Sequence, residues 1–129
     1  MKKIALWSLS IFTMLLMSCS KQTTITNQLD GEVWKVTNVS TVNGSTTNTN
    51  ASPSITYTFD KEGGKGTKMD GSNTYDITWS VSDETLTIVV EGTLTYTYSI
   101  KDSGYSKQTW ERTYSFFGTN VETSTLEKQ

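Results

Sequence analysis

Histidine is absent from the 129 residues, and the chain has one cysteine, one proline and one arginine. Each scarcity closes a route. Without histidine the chain lacks the side chain that most readily exchanges a proton or ligates a metal near neutral pH. A Ser-His-Asp triad, a Cys-His dyad and a Cys/His zinc site are therefore excluded by inventory. A lone cysteine permits no intramolecular disulfide. The lysines are scattered and Arg112 stands alone among the arginines, so no basic patch points to nucleic acid. No stretch of useful length carries the apolar period of a helix. Carboxylates are present, but Asp60, Glu62, Asp70, Asp83, Glu84, Glu91 and Asp102 fall in or beside expected turns, where they read as solvated residues rather than as a glycosidase pair. Asp60-Lys61-Glu62-Gly63 lacks the spaced ligand series of a calcium loop. The expectation is a protein that is not an enzyme and carries no cofactor or metal.

What the chain has is alternation. In Asn73 to Ile100, Tyr75, Ile77, Trp79 and Val81 share one face, followed by Leu86, Ile88 and Val90, then Leu94, Tyr96, Tyr98 and Ile100. Threonine and serine fill most of the opposite face. A period of two over this length predicts antiparallel strands with one buried and one wet face. The same pattern extends outward. Glu32 to Val42 is an imperfectly alternating first strand, so a bulge is expected. Ile55 to Phe59, Lys65 to Met69, Tyr105 to Phe117 and Val121 to Lys128 complete eight strands. Asn43 to Ser54 is a low-complexity loop, and the remaining connections are short turns. Sequential hairpins without long crossovers predict an all-β domain, an eight-stranded antiparallel up-and-down barrel over residues 29–129, since closure removes exposed strand edges.

The first eighteen residues differ in kind. Lys2 and Lys3 precede Ile4 to Met17, an apolar run too short to span a bilayer as a mature helix. Leu16-Met17-Ser18-Cys19 follows and resembles a bacterial lipobox, in which the cysteine is lipidated and becomes the mature N-terminus. The expected organisation is a signal peptide over 1–18, a polar tether over 19–28 held to the membrane through palmitate-type acyl chains on Cys19, and then the barrel. Several acyl chains anchor stably because each buried methylene contributes about 0.8 kcal/mol. Ser20 in second place resembles the sorting preference of outer-membrane lipoproteins, and the absence of acidic residues over Ser20 to Thr23 favours the periplasmic face. Loss of Lys2 and Lys3 leaves nine of the eleven basic side chains against thirteen acidic ones, a mature net charge of −4.

Leu29-Asp30-Gly31-Glu32-Val33-Trp34-Lys35-Val36 resembles the opening of lipocalin-like proteins, although two residues rather than one separate Gly31 from Trp34. Tyr57 to Gly63, Tyr75 to Trp79 and Leu86 to Ile88 look like the small lipocalin-like lipoproteins of Bacteroidetes. The resemblance implies a barrel closed at one end and open at the other, with Asn43 to Ser54 at the mouth. It also implies that Arg112 stacks across Trp34. Tyr57, Phe59, Tyr75, Trp79, Tyr96, Tyr98, Trp110 and Tyr114 are the candidate interior. They either fill the barrel, as in small eight-stranded barrels, or line a cavity for a small hydrophobic or amphipathic ligand. A protein-facing role for a filled barrel is the alternative, with no partner identifiable.

Overall fold

The computed structural model describes residues 21–129. The segment expected as a signal peptide, 1–18, and Cys19, expected to carry the lipid, lie outside the described residues. Nine strands follow one another along the described residues: β1 (Val33–Asn43), β2 (Thr46–Asn50), β3 (Ile55–Asp60), β4 (Lys65–Asp70), β5 (Asn73–Ser82), β6 (Thr85–Val90), β7 (Leu94–Ser103), β8 (Lys107–Ser115) and β9 (Thr119–Lys128). Every pairing is antiparallel, and β9 returns to pair with β1, so eight strands close into a barrel. That is the expected architecture, and it is compatible with a calycin-like fold. The alternating faces of β5, β6 and β7 are those expected, with Ile77, Trp79, Val81, Leu86, Ile88, Val90, Tyr98 and Ile100 all buried. The irregular first strand carries its bulge between Val36 and Asn38.

Two segments depart from expectation. Within the loop Asn43 to Ser54, β2, itself fully exposed, pairs with Val39–Asn43 as a hairpin. Only Val33, Trp34 and Lys35 of β1 pair with β3, so the upper half of β1 turns to β2 instead and rises above the mouth. The second departure is the segment expected as a polar tether. Residues 21–29 form a helix, α1, not an extended linker. Ile25, Gln28 and Leu29 lie at i, i+3 and i+4, one face of a helix, and all three are buried while most of their neighbours are exposed. That face seals the end of the barrel where β1 begins and β9 finishes. Gly31 N donates to Phe59 O at 2.8 Å, and Lys61 N donates to Asp30 Oδ1 at 2.7 Å. Both bonds fasten the chain leaving α1 to the β3–β4 turn.

Buried polar groups continue the seal inward. Gln108 Nε2 donates to Gln28 Oε1 at 3.3 Å and to Gly104 O at 3.0 Å, while Trp110 Nε1 donates to Gln108 Oε1 at 3.3 Å. The helix is therefore hydrogen-bonded through a buried amide to the tryptophan at the centre of the barrel. Trp79 Nε1 donates to Asp60 O and Lys65 O at 3.1 and 2.9 Å, tying β5 across to the β3–β4 turn. Ile25, Leu29, Trp34, Phe59, Trp79, Leu86, Ile88 and Leu126 fill this half. At about 1.5–3 kcal/mol for each fully buried large side chain, the closed half carries most of the hydrophobic stabilisation.

Candidate functional site

Above Trp110 the interior changes character. A cavity of about 130 Å³ opens toward the end where β6 runs into β7 and β8 into β9. Trp110 is its floor, and the ring also meets Tyr57, Phe59 and Tyr98 at centroid separations of 5.7, 6.1 and 5.5 Å. Val36, Val39 and Ile55, from β1 and β3, give the lining its apolar part. Tyr57, Tyr96 and Tyr98, with Lys68, Arg112, Glu122 and Ser124, bring hydroxyls and charges to the same space.

Strand alternation explains the placement. Trp110, Arg112 and Tyr114 follow one another along the inner face of β8, as do Ser124 and Glu122 along β9, and Arg112 is the direct partner of Glu122 in the ladder. Arg112 Nε donates to Glu122 Oε1 at 2.9 Å and its Nη2 to Glu122 Oε2 at 3.1 Å, a two-pronged pair. The guanidinium lies 4.8 Å from the Tyr96 ring centre and 4.7 Å from that of Tyr114. Burial alone would lower the Arg112 guanidinium, but the Glu122 carboxylate outweighs it and raises the group above its ordinary value. Lys68 reaches in from β4, its ammonium 5.3 Å from the Tyr96 ring and 6.0 Å from the Tyr57 ring. Burial, and then the neighbouring Tyr98, push the Tyr57 hydroxyl far above the usual phenol range. Burial raises Tyr98 as well, against the opposing pull of Arg112. Both phenols stay protonated, as neutral hydrogen-bonding groups.

Of the eight aromatic residues read from the sequence, Tyr57, Tyr96, Tyr98 and Trp110 line the cavity. Phe59 and Trp79 are packed below it in the closed half, in edge contact at 5.0 Å. Tyr75 packs half-buried against the core, and Tyr114 stacks with Arg112 beyond the lining. The stacking of Arg112 on Trp34 is not observed. Trp34 is fully buried, its indole N–H has no hydrogen-bond partner among the described residues, and Arg112 is engaged by Glu122, Tyr96 and Tyr114 instead. The reason is distance along the barrel: Trp34 sits in the half sealed by α1 and Arg112 near the mouth. Lys68, Glu122 and Ser124 were missed because a charged or small polar residue on an alternating strand reads as solvent-facing.

A second, wider depression of about 360 Å³ lies on the outer surface across β4, β5 and β6, lined by Lys65, Asp76, Thr78, Val89 and Glu91. Apart from Ile77 its side chains belong to the solvent face, so the more enclosed cavity is the better binding site despite its smaller volume. The carboxylates noted in the turns are exposed. Among the described residues no cluster of three or more acidic, His or Cys side chains is placed to hold a metal ion. No protein-family model matches the chain, and no curated protein is significantly similar to it.

Proposed function

We propose that this protein is a lipid-anchored lipoprotein of the bacterial outer membrane, facing the periplasm, that binds a small amphipathic molecule in the mouth of its barrel and is not an enzyme. One observation carries the binding reading: the barrel is packed solid below Trp110 and hollow above it, and the hollow is lined by apolar side chains together with hydroxyls and charges. A purely structural barrel would gain by filling that space, since a void forfeits contacts with its lining. Native mass spectrometry of protein purified from its own envelope tests the reading, and a small co-purifying mass that is lost on denaturation is the expected result. The lipid anchor rests on Leu16 to Cys19 and is tested separately, by palmitate labelling that disappears in Cys19→Ser.

A protein-facing role is the second reading, favoured by Phe116 and Phe117. They stand 65% and 91% exposed on the β8–β9 turn at the mouth. Cross-linking in the intact envelope that yields an adduct with the protein, but not with Phe117→Ser, would support it.

A further inference from the structure

The cavity is small, and its charges do not balance. At about 130 Å³ it falls below the roughly 300 Å³ at which drug-sized sites begin, and near the roughly 150 Å³ that accommodates benzene. A long acyl chain does not fit inside; a body of roughly six to nine non-hydrogen atoms does. Three charged side chains line the space. Arg112 and Glu122 satisfy each other through both prongs of the guanidinium. Among the described residues no carboxylate forms an ion pair with Lys68. The Tyr96 ring has both the Lys68 ammonium and the Arg112 guanidinium within 5.3 Å of its centre, so two cations share one ring while Arg112 alone holds the carboxylate. The lining thus holds one positive charge in excess, half-buried, in a chain with more acidic than basic side chains. A half-buried charge lacking a partner gains most from an ion that enters with its own apolar body.

Resting on the small-ligand reading above, we infer that the mouth of the barrel takes a small organic anion, with Lys68 as its counter-charge and Val36, Val39 and Ile55 against its apolar part. The Tyr57 hydroxyl donates to that of Tyr98, which leaves the Tyr98 O–H as a neutral donor beside the same space.

Calorimetric titration of the purified protein with benzoate and with benzyl alcohol, two probes of similar size and different charge, tests the assignment. Benzoate should bind at least tenfold more tightly. Lys68→Met should remove that advantage and leave benzyl alcohol unchanged, while Lys68→Arg, which keeps the charge, should retain most of it. Equal affinity of the two probes for the unaltered protein overturns the anion assignment and leaves the small-ligand reading standing. So does a benzoate affinity that Lys68→Met does not change. Failure of both probes to bind removes the small-ligand reading and the inference with it.

Discussion

Replacing Leu29 by alanine separates a structural α1 from a tether. Leu29 is 0% exposed and Ile25 2%, and both insert into the closed end of the barrel. Removing a buried leucine's outer carbons costs their transfer free energy, about 0.8 kcal/mol per methylene, plus the energy of the cavity left behind. The sum for Leu→Ala at a site that cannot collapse is about 2–5 kcal/mol. The rigid strand ends around α1 place Leu29 in the middle of that range or above. A domain of this size has only about 5–15 kcal/mol to lose, so Leu29→Ala and Ile25→Ala together should bring the protein near unfolding at room temperature. In urea, with a slope of about 1–3 kcal/mol per molar, Leu29→Ala alone should move the midpoint down by about 1–2 M. Lys21→Ala is the matched control on the same helix. It removes an exposed ion pair with Glu84 and should shift stability by less than about 1 kcal/mol. A Leu29→Ala midpoint that coincides with that of the Lys21 variant would refute the plug, because substitution in a solvated tether has no cavity to leave.

Three further outcomes follow from the same geometry. Arg112 and Glu122 are 23% and 15% exposed, so Arg112→Met should strand the carboxylate and cost about 2–4 kcal/mol; Arg112→Met with Glu122→Leu should recover most of it, and strictly additive losses in a double-mutant cycle would argue against the pair. A Cβ on Gly66 would lie 2.1 Å from the Thr58 carbonyl oxygen, which is backbone and cannot swing aside, so Gly66→Ala should part β3 from β4 and lower stability by at least about 2 kcal/mol in thermal melts. The raised Tyr57 and Tyr98 hydroxyls link stability to alkaline pH. Below the ordinary phenol value of 10.0 both are protonated in folded and unfolded chains alike, and their contribution is whole. Above it the unfolded chain releases protons that the folded chain retains, so stability falls as pH rises, by about 1.4 kcal/mol per pH unit for each tyrosine. Urea unfolding between about pH 9 and 11 should show a shallower decline for Tyr57→Phe/Tyr98→Phe, and parallel profiles would show that these two phenols are not the cause.

The strands were legible because each writes its burial into a period of two, and the barrel was legible because the turns between them are short. What escaped has a physical reason in each case. The helical face Ile25-Gln28-Leu29 is a single i, i+3, i+4 set among the described residues, flanked by polar lysine, glutamine, threonine and asparagine, so it leaves almost no periodic signal in the sequence. β2, Thr-Thr-Asn-Thr-Asn, buries nothing and is a strand only through its backbone pairing with β1. Leu94 and Phe116 keep the phase of the inner face but stand at strand ends, where the wall has stopped, and are exposed. The cavity itself was half legible. Its aromatic part follows from alternation, whereas Lys68 and Glu122 become interior residues only once each is seen on the inner face of its strand.

The seal formed by α1 also sets an orientation. Its first described residue, Lys21, pairs with Glu84 in the β5–β6 turn and stands two positions after Cys19 in the sequence. On the proposed reading, with acyl chains on Cys19, the anchor joins the barrel at its sealed end. The cavity opens at the other end, so the membrane would lie behind the seal and a ligand would reach the mouth from the aqueous side. An exposed tether would have left that direction free.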